Sequence, residues 1–168
     1  MLATNTSQAD VFKGFNPDSK VWIYSSSRLL TEDETVNINY QIQAFTKQWT
    51  SHNNALKAAG AVLYNRFIIL SADDSIENPG GCSIDKSIHF IQDIETRYKL
   101  NLFDRLTIYY ASGNEMKSFH FNDLQNKIAS GEISENTLIM DTTITQVGAL
   151  QSEFVKEAGQ SWLARFIK

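Results

Sequence analysis

The stretch from Phe67 to Tyr98 reads FIILSADDSIENPGGCSIDKSIHFIQDIETRY and indicates how the rest of the chain is arranged. Its apolar start belongs to a predicted buried strand, Arg66 to Ala72, and the breakers Asn78-Pro79-Gly80-Gly81 follow. Beyond them, apolar residues recur at helical spacing: Ile84, Ile88, Ile91, Ile94 and Tyr98. The stretch therefore predicts a buried strand, a turn and an amphipathic helix.

A strand and a helix are also predicted upstream of this stretch. Val21 to Tyr24 is rich in β-branched and aromatic residues, which is typical of a short strand. Thr31 and Glu34 match a capping box, so a helix should begin there. Its apolar face would comprise Ile38, Ile42, Phe45 and Trp49. The polar cluster Thr50 to Asn54 should end this helix.

The segment between this helix and Phe67 allows two interpretations. One is a strand from Leu56 to Leu63, joined to the next strand by a tight turn at Tyr64-Asn65. The other continues the helix through Ala55 to Ala59, which Gly60 does not rule out. With the first interpretation and a further strand at Leu106 to Tyr110, the order is β-α-β-β-α-β. This order predicts an α+β fold, a ferredoxin-like sandwich.

The chain is divided into three segments that form one domain overall. Residues 1–19 are polar and rich in breakers, which predicts a flexible lead-in. Residues 20–111 form the ferredoxin-like core, and residues 112–168 form an α/β extension that packs on it. The extension should contain a strand at Met116 to Phe121, a short helix at 122–129 and a strand at Thr137 to Asp141. The sequence leaves open whether it completes the first core or forms a subdomain.

Composition and missing motifs exclude several classes of function. The formal net charge is −4, whereas nucleic-acid binders usually show a basic face. The single cysteine cannot form an internal disulfide, and no signal peptide or apolar membrane span is visible, so we expect a cytoplasmic protein. The chain lacks a phosphate-binding G-x-x-x-x-G-K-[ST] loop, G-x-G-x-x-G, C-x-x-C and H-x-x-x-H, so it predicts no cofactor and no metal site.

One place in the predicted fold brings reactive side chains together. In a β-α-β-β-α-β sandwich, the connection carrying His52 and the connection carrying Asp73 and Cys82 lie at the same end of the sheet. A thiol at a helix N-terminus favours the thiolate, and an imidazole and a carboxylate would activate and orient it. We therefore predict Cys82 as nucleophile, His52 as base and Asp73 as orienter. The ligand-binding candidates beside them are Asp74, Gly80, Gly81 and Ser83.

The same residues also have ordinary structural interpretations. A free cysteine is among the residue types most often buried. Asp73 and Asp74 fit a turn, Ser83 fits a helix N-cap and His52 fits a helix end. We favour this structural interpretation over the catalytic one.

Several spaced motifs carry a resemblance to a known family. They are Lys20-Val-Trp-Ile-Tyr, Trp49-x-x-His52, Arg66-Phe-Ile-Ile-Leu-Ser, Gly81-Cys-Ser-Ile-Asp-Lys-Ser and Ser161-Trp-x-x-Arg165-Phe. From Lys20 onward, the chain resembles a family of short bacterial proteins of unassigned role that are often labelled "ABC transporter ATPase". The resemblance implies no established reaction. The chain lacks the phosphate-binding loop that an ABC ATPase requires, so the sequence does not support that label.

Two functions follow as hypotheses. The first is a non-catalytic cytoplasmic domain that binds a small ligand or a protein partner, with a homodimer through sheet edges or faces as one expectation. The second is a thiol-dependent enzyme or redox-sensitive protein that uses Cys82 with His52 and Asp73 or Asp74. An exposed Cys82 sulfur in a concave site near His52 would favour the second.

Overall fold

The residues described by this computed structural model, 10–75 and 77–168, form two antiparallel sheets and a short hairpin, together with helices. The strands are β1 (Lys20–Ser25), β2 (Thr50–Ser51), β3 (Asn54–Ala55), β4 (Lys57–Leu63), β5 (Phe67–Asp73), β6 (Thr107–Ser112), β7 (Glu115–His120), β8 (Leu138–Met140) and β9 (Val155–Glu157). The helices are α1 (Glu32–Gln48), α2 (Gly81–Tyr98), α3 (Leu124–Ala129), α4 (Val147–Glu153) and α5 (Ala164–Ile167). The first sheet has the order β1-β5-β4, and the second has the order β7-β6-β8-β9. The prediction of an α+β fold is confirmed.

Side-chain alternation along the strands builds a layered core. On β5, Ile68 and Leu70 pack with residues of α1 and α2, whereas Phe67 and Ile69 pack with residues of the second sheet and α4. On β6, Tyr109 joins that same inner cluster, and Ile108 points to a third cluster that includes residues of α3. Because side chains alternate between the faces of a strand, the central strands β5 and β6 are apolar on both faces. The layers therefore run helix, sheet, sheet, helix.

The local predictions for the first half of the chain agree with the structure. At the start of α1, Thr31 and Glu34 form both hydrogen bonds of the capping box. The turn at Tyr64-Asn65 joins β4 to β5, and both of its residues have positive φ, 55° and 52°. The alternative helix over Ala55 to Ala59 is wrong, since β4 begins at Lys57. On the edge of β4, the Asn39 side chain of α1 accepts a hydrogen bond of 2.9 Å from the Val62 N–H.

The fourth strand of the predicted ferredoxin-like sheet does not join the first sheet. The segment before β6 passes the β1 edge, where Phe103 contacts the Tyr24 ring and Arg105 donates to the Ile23 carbonyl at 3.3 Å. The chain then enters the second sheet as β6, paired with β7 and β8. Thr145 occupies part of the free edge, since its carbonyl accepts from the Val21 N–H at 2.9 Å. Side-chain periodicity predicts the strand, but it carries no information on which sheet the strand joins.

The predicted segment boundaries also need correction. Residues 1–9 of the predicted lead-in lie outside the described part of the chain. Phe12 is 1% exposed and belongs to the cluster that contains Phe67 and Tyr109, so this residue of the predicted lead-in packs into the core, although most of residues 10–19 are exposed. The division between residues 111 and 112 falls inside β6, so the second sheet spans both predicted segments. Phe154, within the predicted extension, contacts Phe67 of β5 with ring centroids 5.2 Å apart.

No helix within the described residues combines the length and the apolar character that a membrane span needs.

Candidate functional site

The hairpin β2–β3 and the start of α2 meet at one end of the first sheet, as the topology predicts. His52 and Asn53 form the two-residue turn of this hairpin, with positive φ at both positions. The Ser51 hydroxyl donates to the Asn78 carbonyl at 2.9 Å and accepts from the Gly80 N–H at 3.3 Å. A Cβ placed on Gly80 would lie 3.5 Å from Nε2 of His52. We call the predicted site residues His52, Asp73, Asp74, Gly80, Gly81, Cys82 and Ser83 the thiol region.

Ser83 serves the fold rather than an open site. It is buried, and its hydroxyl donates to the Thr50 carbonyl at 2.9 Å. The Ser83 carbonyl accepts a hydrogen bond of 2.8 Å from Nε1 of the buried Trp49. The N-cap position of α2 is Gly80, so the interpretation of Ser83 as an N-cap is wrong. These bonds fasten the first turn of α2 to the end of α1.

Asp73 is a buried carboxylate that fastens three segments together. It accepts from the Ser75 N–H at 3.0 Å and the Asn16 N–H at 3.5 Å, and it forms a 3.3 Å ion pair with Lys57. Hydrogen bonds from Ser75, together with those from Lys57 and Asn16, lower the pKa of Asp73 to about 2. The carboxylate oxygens of Asp73 are therefore already hydrogen-bonded to other segments of the chain. Asp74 is exposed and lines a shallow depression with Lys20 and other residues.

The predicted Cys-His-Asp set is only partly assembled. Cys82 is exposed on the first turn of α2, and a Cβ on Gly81 would meet nothing within 4 Å. Within the described part of the chain, no hydrogen bond joins Cys82, His52 and Asp73, and no group of three or more metal-ligating side chains is present. The thiol region therefore presents an exposed thiol on α2 and an exposed imidazole near Gly80, with no hydrogen bond between them and none to a carboxylate among the described residues.

A concave region lies where the pairing of β6 with β8 stops. The two strands pair only at Tyr109 with Met140 and Tyr110 with Ile139, and β8 ends at Met140. The gap beside the first residues of β6 forms a cleft of about 230 Å³. We call it the β6 cleft. It is lined by Arg105, Leu106, Thr107, Ile108, Phe121, Ile139, Met140, Thr142, Thr143 and Trp162.

The walls of the β6 cleft are mainly apolar and partly open to solvent. Trp162 and Phe121 lie with ring centroids 6.0 Å apart at an angle of 36°. Leu106 is 52% exposed, although its neighbour Ile108 is buried. An apolar cleft with a few polar groups is the usual form of a small-molecule site.

Two of the polar residues of the β6 cleft are already hydrogen-bonded to carboxylates. The Thr107 hydroxyl donates to Asp104, and this bond, together with the Leu106 N–H, lowers the pKa of Asp104. The Thr143 hydroxyl and N–H both donate to Asp141. These bonds hold the two threonines in place at the rim of the cleft.

The sequence analysis includes Trp162 only in the motif Ser161-Trp-x-x-Arg165-Phe and Leu106 only as the first residue of a predicted strand, and it does not single out Arg105. The available signals were a large aromatic residue in that motif and a leucine at a strand start. Neither signal indicates a cleft, because the cleft depends on where β8 leaves β6.

No protein-family profile, curated protein or solved structure matches this chain.

Proposed function

We propose that this protein is a non-catalytic binding domain and that its ligand is a small molecule held in the β6 cleft. The observation that carries the proposal is the cleft itself, with two aromatic walls and a half-exposed leucine at its mouth. Covering exposed apolar surface favours binding by about 25 cal/mol per Å². By contrast, the buried polar side chains of the thiol region are hydrogen-bonded within the fold.

A variant that fills the β6 cleft tests the proposal. Thr142 is half-buried and lines the cleft, so Thr142→Phe places a ring in the space that a ligand would occupy. Thr96→Phe makes the same change on the exposed surface of α2 and is the matched control. A broad set of compounds with fewer than about 20 non-hydrogen atoms is screened by ligand-observed NMR against the three proteins.

The proposal predicts compounds that bind the wild type and Thr96→Phe but lose binding to Thr142→Phe. A screen in which every bound compound is insensitive to Thr142→Phe, or in which none binds, would contradict it.

A thiol-dependent function remains the second candidate. Cys82 is exposed at the start of α2, and His52 lies beside Gly80, the residue that caps this helix. A thiolate at a helix N-terminus is stabilised by the helix dipole. The rate of Cys82 alkylation, compared between the wild type and His52→Ala, tests this candidate.

The finer features of fold, family and location are also proposals. The order β1-β5-β4, with α1 and α2 packed on one face, supports a ferredoxin-like unit. Its fourth strand, β6, belongs to the second sheet. The single cysteine supports a cytoplasmic location. The motifs from Lys20 to Phe166 support kinship with the short bacterial family described above. A homodimer and a protein partner are further proposals, supported by fold analogy alone.

A further inference from the structure

The side-chain polar groups of the β6 cleft that lack a partner are hydrogen-bond donors. Arg105 uses Nη1 to bond the Ile23 carbonyl, and its guanidinium lies over the Tyr24 ring at 6.0 Å from the centroid. Within the described part of the chain it has no other hydrogen bond and no ion pair. The Thr142 hydroxyl and the Trp162 indole N–H have no acceptor among the described residues. An arginine and an indole can only donate, and a hydroxyl can donate as well as accept. The cleft therefore presents one positive charge and several donors.

Among the described residues, no nearby carboxylate forms an ion pair with Arg105. Asp104 accepts from Thr107 and from the Leu106 N–H, and it forms no ion pair with Arg105. Asp141 forms a 3.0 Å ion pair with Lys156. Arg105 is therefore a lining residue whose guanidinium contacts the Ile23 carbonyl and the Tyr24 ring and has no carboxylate partner among the described residues.

The apolar walls favour a flat ligand. The Phe121 and Trp162 rings offer aromatic contacts, and a ring placed on them would also cover part of Leu106. A cavity of 150 Å³ accommodates benzene, so about 230 Å³ fits one or two rings with a small substituent.

We propose that the ligand of the β6 cleft is a small aromatic carboxylic acid. Its ring contacts Trp162 and Phe121, and its carboxylate accepts from Arg105 and Thr142. This inference rests on the proposed binding function and names the class of ligand for the same cleft.

Matched acids and amides test the inference. Benzoate and 2-naphthoate are compared with benzamide and 2-naphthamide, which have the same rings and no charge. Dissociation constants are measured by NMR titration for the wild type, Arg105→Gln and the control Arg97→Gln. Arg97 lies on the exposed surface of α2, so its replacement makes the same change in net charge away from the cleft.

We expect the acids to bind the wild type more tightly than the amides. A partly exposed ion pair contributes up to about fivefold in affinity, so Arg105→Gln should weaken acid binding by about that factor. The same variant should leave amide binding unchanged, and Arg97→Gln should change neither. If amides bind as tightly as acids, or if both arginine variants act alike, the inference is wrong and the proposed function stands. If no compound of the broad screen is sensitive to Thr142→Phe, the proposed function itself is wrong.

Discussion

The thiol region and the β6 cleft use their polar side chains in different ways. In the thiol region, Ser83 and Asp73 are buried and hydrogen-bonded to other segments of the chain. In the β6 cleft, Arg105, Thr142 and Trp162 retain donors without a partner among the described residues. A polar group that the fold already satisfies contributes to stability, whereas an unsatisfied and accessible one is available to a ligand. Substitutions in the two regions should therefore separate into effects on stability and effects on binding.

The largest effect is expected at Trp49, which anchors the thiol region. Trp49 is 2% exposed, contacts the Trp22 and Phe45 rings and donates to the Ser83 carbonyl. Trp49→Ala should lower the free energy of unfolding by about 3–5 kcal/mol. Trp162→Ala, in the half-buried cleft wall, should cost no more than about 2 kcal/mol. Urea denaturation measures the free energy of unfolding of both variants. Equal losses of stability would contradict the distinction between the thiol region and the β6 cleft.

Asp73 should contribute stability that depends on pH. Asp73→Asn should cost about 1–3 kcal/mol at pH 7, because charge-assisted hydrogen bonds and the Lys57 ion pair are lost. The folded pKa of about 2 lies below the ordinary value of 3.8, so this contribution is present above about pH 4. It is lost as the pH falls toward 2.

Urea denaturation between pH 2 and pH 7 measures this contribution, with Asp74→Asn as the control because Asp74 is the exposed neighbour. The stability difference between wild type and Asp73→Asn should shrink as the pH falls through this range. A difference that is constant with pH would show that the Asp73 charge does not contribute.

Cys82 should have little effect on stability, because it is exposed and makes no hydrogen bond within the described residues. Cys82→Ala should change the free energy of unfolding by less than about 0.5 kcal/mol. Iodoacetamide should label Cys82 in the native protein, which mass spectrometry detects.

The same labelling experiment distinguishes the structural interpretation from the catalytic one. Without a hydrogen bond between His52 and Cys82, His52→Ala should leave the alkylation rate unchanged at each pH. A rate that falls several-fold in His52→Ala, with a midpoint that moves to higher pH, would favour thiol chemistry over ligand binding.

A similarly small effect on stability is expected for Thr142→Phe. Thr142 is half-buried beside open space, so the new ring can occupy the cleft without displacing core atoms. The free energy of unfolding should change by about 0.5 kcal/mol or less. A loss of several kcal/mol would show that the β6 cleft is part of the packed core.

Local sequence signals predict the helices and strands of this fold better than they predict which strands pair with each other. The capping box at Thr31 and the apolar run of β5 depend on neighbouring residues, so both are evident in the sequence. The pairing of β6 with β7 and β8 depends on competition between two sheets, and periodicity has no bearing on that choice.

The candidate sites show the same limit. The sequence predicts that His52 and the start of α2 lie close together, because the topology of two connections is enough to place them. It does not predict that Asp73 pairs with Lys57 or that Ser83 bonds Thr50, because these contacts depend on atomic positions. The β6 cleft exists because β8 turns away after Met140, which no motif in the sequence indicates.

The central claim, that a ligand binds the β6 cleft and not the thiol region, is tested most directly by the indole N–H signals. The chain has three tryptophans. Trp162 lines the cleft, Trp49 donates to Ser83 beside Cys82, and Trp22 contacts Trp49. Each signal is assigned with a Trp→Phe variant, and the ¹⁵N-labelled protein is titrated with 2-naphthoate. We predict a saturable shift of the Trp162 signal and none of the Trp49 signal. A shift of Trp49 alone, or of neither signal, would contradict the account.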